Sequence, residues 1–190
     1  MNTLIRGLLA FAVLAIASGP AFADEYVDTI ASYKNAGQSA SFFSKSYGYA
    51  VFPNVGKGGL VIGAAHGSGH VFAQGKHVGD ASMTQVSVGF QAGGQAYSEI
   101  IFFEDKRAFD EFTHGDFEFS ADASAVVITA AASGTAGTTG ATGSANAGEK
   151  AATTGTYYKG MAVFTIAKGG LMYQAAIGGQ KFSYKARGAK

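Results

Sequence analysis

The chain has 190 residues, 28 of them Gly and none Cys or Trp, with 14 Lys and Arg against 13 Asp and Glu. The lack of cysteine excludes disulfides, thiolate metal sites and an acylated cysteine, and nucleic acid is not expected as a partner. Charge is distributed unevenly: all 13 acids lie between Asp24 and Glu149, while seven Lys and Arg follow from Lys150 onward with no acid among them. That asymmetry calls for an anionic partner or for pairing between the two halves in the fold, and pairing is the simpler expectation.

The chain opens like an export signal. Arg6 supplies a positive start, Leu8 to Ala17 is an apolar run, and Pro20-Ala21-Phe22-Ala23 ends in an Ala-x-Ala cleavage pattern before Asp24. The apolar run is too short to span a bilayer as a helix, so residues 1–23 read as a removable signal peptide. Residues 24–190 then read as one exported domain, periplasmic or extracellular, soluble or peripheral to a membrane.

Between Asp24 and Ser46 the spacing of Tyr26, Ile30 and Tyr33, followed by Phe42 and Phe43 beyond Gly37, predicts two short helices, the second capped by Ser39 or Ser41. From Tyr47 aromatic and β-branched residues alternate with glycine. This predicts strands near 48–52, 59–73, 76–79, 81–92 and 95–103, with Gln74-Gly75 as a turn. Gly63, Gly67, Gly69, Gly89, Gly93 and Gly94 suggest bends and close strand crossings in a coiled sheet or small barrel. Ile100-Ile101-Phe102-Phe103 reads as a strand buried on both faces. Asp105 then caps a helix presenting Ala108, Phe109 and Phe112 on one face and ending near His114-Gly115. Phe117 and Phe119 alternate as in a strand, and 125–131 resembles another.

Residues 134–156 are almost entirely Gly, Ala, Thr and Ser, too poor in large apolar side chains to offset ordering, and read as a flexible loop within the domain. Beyond it, Phe182 and Tyr184 alternate with Lys181 and Lys185, which places aromatics on one face and lysines on the other. The expected architecture is α+β: a glycine-rich, mainly antiparallel sheet or small barrel-like core with short helices at the N-terminus and mid-chain.

One stretch occurs twice. Ala50-Val51-Phe52 running into Lys57-Gly58-Gly59-Leu60 recurs about 110 residues later as Ala162-Val163-Phe164 running into Lys168-Gly169-Gly170-Leu171, suggesting two equivalent corners with one cation at each. Catalytic patterns are wanting. His66 and His70 are four apart, but in a strand that spans about 13 Å, too far for one ion. Ser68 near His70 lacks an orienting partner, and no Gly-x-Ser-x-Gly elbow occurs. Gly56-Lys57-Gly58-Gly59 lacks the upstream glycine and the following Ser or Thr of a phosphate loop. The residues therefore argue against an enzyme, a metal site or a cofactor. They leave Lys57, Lys168, Lys181, Lys185 and Arg187, cations beside aromatic strands, which suit anionic lipid headgroups at about 1 kcal/mol each and equally suit solvated strand edges.

Several motifs in order carry a resemblance: Phe42-Phe43; Tyr47-Gly48-Tyr49-Ala50-Val51-Phe52-Pro53 with Val55-Gly56-Lys57-Gly58-Gly59; Val88-Gly89-Phe90-Gln91; Gly93-Gly94-Gln95; Glu99-Ile100-Ile101-Phe102-Phe103; Lys168-Gly169-Gly170-Leu171-Met172-Tyr173; and Gly178-Gly179-Gln180-Lys181-Phe182. Together they resemble the SYLF-domain family over nearly the whole of 24–184. The resemblance implies a compact α+β lipid-binding domain without catalysis. Eukaryotic members bind phosphoinositides and regulate actin, and exported bacterial members are described as lipid-binding. For an exported chain the implied partner is an anionic phospholipid or membrane surface, with actin not expected. Asp24, Glu25 and Asp28 make the start acidic, unlike the basic N-terminal helix of eukaryotic members. Two rival readings are an envelope structural or protein-interaction module without lipid affinity, and a small outer-membrane barrel. The helices, the doubly buried strand and the terminal Lys190 speak against the barrel.

Overall fold

The computed structural model describes residues 21–59, 62–88, 95–119, 126–128, 157–168 and 177–188. Most of the expected signal segment, the 134–156 loop, Gly89, Gly93, Gly94 and the second Lys-Gly-Gly corner beyond Lys168 lie outside these residues. Three helices come first, α1 (Ala21–Asn35), α2 (Gly37–Ala40) and α3 (Phe42–Lys45), followed by strands β1 (Gly48–Gly59), β2 (Ile62–Ala73), β3 (Lys76–Val88) and β4 (Gln95–Phe103). Helix α4 (Lys106–Thr113), β5 (Asp116–Glu118), β6 (Val126–Ile128), β7 (Met161–Lys168) and β8 (Gln180–Ala186) complete the order. The fold is α+β: one eight-stranded sheet in the order β5-β8-β3-β2-β1-β4-β7-β6, antiparallel except between β6 and β7. Among the described residues the edge strands β5 and β6 do not pair, so the sheet is not closed into a barrel.

The sheet is nevertheless strongly curled. Gln180 on β8 and Glu99 on β4 have three strands between them, which in a flat sheet would separate them by about 19 Å. Their side chains hydrogen-bond at 3.0 Å, and Phe52 on β1 meets Phe182 on β8 with ring centroids 5.6 Å apart. The concave side thus closes on itself around Phe52, Met83, Ile101, Phe103, Phe112 and Phe182. Glycine makes the curl feasible. A Cβ at Gly69 would stand 2.5 Å from the Phe52 ring and one at Gly79 2.2 Å from the Tyr184 ring, so bare backbone faces both aromatics.

The convex side is covered by α1 to α3. Val51, Ile100, Phe102, Ala162 and Phe164 form its floor, with Tyr33, Ala36 and Phe42 packed on them. The run Ile100 to Phe103 is fully buried on both faces as its composition predicts. Tyr33 fastens the cover: its hydroxyl donates to the Ser98 carbonyl at 2.8 Å, and burial drives its pKa well upward.

Four sequence expectations need correction. Two N-terminal helices are three, because the chain breaks again at Ser41. Neither Ser39 nor Ser41 acts as a side-chain cap. The residue before α2 is Ala36, and Ser39 Oγ instead donates to the Tyr33 carbonyl at 2.6 Å, satisfying the end of α1. The first strand, expected near 48–52, is also longer, running to Gly59. Here β1 runs through the proline because register shifts fall between Val51 and Asn54 against β2 and between Phe52 and Val55 against β4. A bulge takes the residue that lacks an N–H out of the ladder, so the strand continues. Likewise 76–79 and 81–92 merge into β3, continuous from Lys76 to Val88.

Other local signals hold. Gln74 and Gly75 both adopt positive φ, 49° and 77°, the two-residue turn whose twist matches a hairpin. Asp105 caps α4, its carboxylate accepting from Ala108 N at 2.8 Å, while Ala108 and Phe112 are buried. Asp105→Ala is expected to cost about 1 kcal/mol, read as a lowered denaturant midpoint at unchanged slope.

Candidate functional site

Two polar clusters stand out, one on each face of the sheet. Inside the curl, Glu99 is completely buried beside Tyr97, Gln85, Thr165 and Gln180. Gln180 Nε2 donates to Glu99 Oε2 at 3.0 Å and more weakly to Tyr97 Oη at 3.4 Å, and Gln85 Nε2 donates to the Gly178 carbonyl at 3.0 Å. Glu99 Oε1 and Thr165 Oγ1 have no hydrogen-bond partner among the described residues, although Glu99 and Thr165 are direct register partners. Burial raises the Glu99 pKa to about 7, against which the Gln180 hydrogen bond acts. It likewise drives Tyr97 upward, helped by the Glu99 charge.

On the convex face, His70 of β2 and His77 and Asp80 of β3 gather beneath Tyr26 of α1. The Tyr26 and His70 rings stack at 3.6 Å, His70 and His77 at 4.0 Å, and His77 Nε2 lies 3.0 Å from Asp80 Oδ1. A shallow groove of about 370 Å³ runs beside them, lined by Ser68, Ser82, Ser183 and Lys185 as well as Tyr26 and Asp80. Partial burial lowers the His70 pKa, with His77 and Arg187 adding to the effect and Asp80 opposing it.

The five cations named from the sequence divide into two groups. Lys181, Lys185 and Arg187 sit at alternate positions along β8 and its exit, so they share its convex face, while Phe182 packs into the core opposite. Lys57 and Lys168 come close along the sheet, Lys57 pairing with Gln95 and Lys168 with the adjacent Ala96, but they leave by opposite faces. Lys57 follows the alternation of core-facing Val55 to the concave side, where partial burial lowers its pKa. Lys168 follows Ile166 to the convex side, donating to Asn54 Oδ1 at 2.6 Å and lying 3.4 Å from Glu25. Asn54 donates to the same Glu25 carboxylate.

The charge asymmetry is partly resolved by pairing between the halves. Lys168 meets Glu25, Lys181 lies 3.5 Å from Glu118, and Lys185 is the register partner of Asp80. Pairs this exposed are worth about 0–1 kcal/mol each and leave the lysines available to a stronger counter-charge.

A family model described as Las17-binding protein actin regulator (Ysc84) matches residues 84–185, from the middle of β3 to the end of β8. The chain belongs to that family. The Ysc84 family, to which the SYLF domain corresponds, is known for lipid binding and actin regulation. The chain is also similar to Beta cell expansion factor A of Aeromonas veronii, 33% identical over 144 residues. The aligned part is 74% of this chain and 46% of that protein, so the chain spans about half the length of the relative. The match begins at Thr84 and therefore omits β1 and β2, the strands that build the first corner and carry His70.

Two groups of polar residues escaped the sequence reading. Glu99 was visible only as the acid preceding an apolar run. His70, His77 and Asp80 come together through strand pairing, and the only sequence signal was His77 three residues before Asp80, a spacing that alternation assigns to opposite faces.

Proposed function

We propose that this Ysc84-family domain is an exported, non-enzymatic module that binds anionic phospholipid surfaces, with the convex face of β3 and β8 against the membrane. The observation that carries this reading is the alignment of Lys181, Lys185 and Arg187 along one face of β8. Val86, two positions along β3 from the Lys181 partner Thr84, is 71% exposed on that face and adds an apolar contact. Basic side chains near a negatively charged membrane contribute on the order of 1 kcal/mol each, enough together to hold a peripheral domain at low ionic strength. No described helix is long and apolar enough to cross a bilayer. The family's lipid and actin associations fit the same reading at the level of lipid, and phosphoinositide-type headgroups belong to the same chemical class.

Sedimentation with phosphatidylcholine vesicles, with and without phosphatidylglycerol, tests the proposal. Binding should require the anionic lipid and weaken with salt, and Lys185→Glu should lower affinity on the order of tenfold or more. Lys57→Glu, on the other face, should change it little. Indifference to phosphatidylglycerol at low salt would overturn the reading. Lys168 is tied to Glu25 and Asn54 on the helix-covered side, so it serves the packing of α1 more directly than a headgroup.

A further inference from the structure

A register irregularity on β2 and β3 has placed His77 where alternation would not. His70 and Asp80 are direct register partners across the two strands. His77 is three residues from Asp80, an odd separation that in a regular strand sends the side chains to opposite faces. Between Val71 and Phe72 of β2 the pairing jumps from Gly79 to His77, leaving Val78 as the extra residue. Val78 packs into the concave core, and the shift carries His77 onto the convex face beside His70 and Asp80. Bulges that re-aim a side chain in this way are concentrated next to functional sites.

The result is a two-histidine, one-carboxylate group whose ligand atoms all lie within 4.8 Å of one another. His77 Nε2 and Asp80 Oδ1 are 3.0 Å apart and His70 Nε2 and Asp80 Oδ1 3.6 Å. Nitrogen and oxygen ligands at about 2.0–2.2 Å from a tetrahedral zinc ion stand about 3.4 Å from each other, so two of the three separations already bracket the required value. The side chains are 30%, 19% and 58% exposed for His70, His77 and Asp80, open enough for a hydrated ion to enter and for a water to complete the shell. Imidazole with carboxylate is a ligand set that suits zinc and its neighbours in the first transition row.

We infer that His70, His77 and Asp80 form a binding site for one transition-metal dication, zinc being the best match, and that Arg187 competes with the metal for His77. Arg187 Nη1 donates to His77 Nδ1 at 2.7 Å, which fixes the ring proton on Nε2, where it points to Asp80 Oδ1 and the Gly79 carbonyl. A metal at Nε2 needs that proton moved to Nδ1 and the guanidinium displaced. Arg187 is exposed and lies just past the end of β8, so it can swing aside, but its charge and its hydrogen bond both oppose the ion. Tyr26, stacked flat on His70, restricts the ring without occupying Nε2. Lys185, the register partner of Asp80, is a further cation beside the group.

Calorimetric titration of the full chain with zinc chloride, with cobalt(II) absorbance as a second readout, tests the inference. Wild type should bind one equivalent in the micromolar range and show the visible bands of low-coordinate cobalt. His77→Ala and Asp80→Asn should each weaken binding about tenfold or more, Arg187→Ala should tighten it severalfold, and His66→Ala should leave it unchanged. Absence of binding at millimolar zinc overturns the site. So does binding that survives both His77→Ala and Asp80→Asn, which would place the ion elsewhere. An Arg187→Ala chain that binds zinc no better than wild type overturns the competition. His66, His77 and Asp80 are at least partly exposed on the β2–β3 hairpin and Arg187 is exposed beyond β8, and unchanged far-ultraviolet dichroism of each variant separates loss of ligand from loss of fold.

Discussion

Glu99→Gln is expected to stabilise the domain by about 3 kcal/mol at pH 8 while leaving it almost unchanged near pH 4. Glu99 is fully buried, and its pKa rises from an ordinary 4.5 to about 7 in the fold. The folded state therefore keeps a proton that the unfolded chain has already released between those two values. Stability from this group is fully present below pH 4.5, falls as pH rises towards 7, and is flat beyond. Glutamine is neutral throughout and of the same shape, so it does not carry that slope. Other carboxylates titrate in the acid range, but the difference between wild-type and variant denaturation curves, measured from pH 4 to 8, isolates Glu99. Parallel curves would show that the buried carboxyl is not the source. The choice of a carboxyl here opposes stability at neutral pH, since the group is fully buried and, among the described residues, only Oε2 has a hydrogen-bond donor, Gln180. Glu99 and Thr165, direct register partners, both face the interior of the curl.

What the sequence revealed and what it concealed follow from the range of the forces involved. Local signals were legible. The Asp105 cap depends on Ala108 three residues away, the Gln74-Gly75 turn on two dihedrals, and the faces of β8 on simple alternation of Lys181, Phe182, Ser183, Tyr184 and Lys185. The doubly buried run Ile100 to Phe103 was legible because composition alone excludes a wet face. Reading failed where a bulge intervened. The first strand was expected near 48–52, and only the pairing of β1 with two neighbours shows how the chain continues through Pro53. His77 could not be placed beside His70 for the same reason, since the pairing of β3 shifts between Gly79 and His77. Lys57 and Lys168, equivalent in the repeated sequence, could not be assigned to faces until the register was known, and they leave opposite sides of the sheet. The glycines were read as close crossings, and Gly69 and Gly79 do face rings, Phe52 and Tyr184, that a Cβ would strike.

Phe102→Ala is expected to cost about 3–5 kcal/mol and to act first on the convex cover. The Phe102 ring is fully buried between the sheet and the N-terminal helices, with centroids 4.9 Å from Phe43, 5.5 Å from Phe42 and 5.8 Å from Phe164. Its neighbours in β4, Ile101 and Phe103, belong to the concave core and keep their own packing. Truncation therefore leaves a void under α1 to α3 and removes ring contacts that no other residue can supply. With domains of this size stable by about 5–15 kcal/mol, such a loss is a large share of the whole. Limited proteolysis should cut the variant within 21–46 before the β2–β3 hairpin opens, because α2 and α3 have only four residues each and depend on this floor. Val27→Ala, exposed on the same helix α1, should change stability by no more than about 0.5 kcal/mol and serves as the control. A cost below about 1 kcal/mol for Phe102→Ala, or cleavage that begins in the hairpin, would mean that the helices are held by Tyr33 and its Ser98 hydrogen bond rather than by aromatic burial.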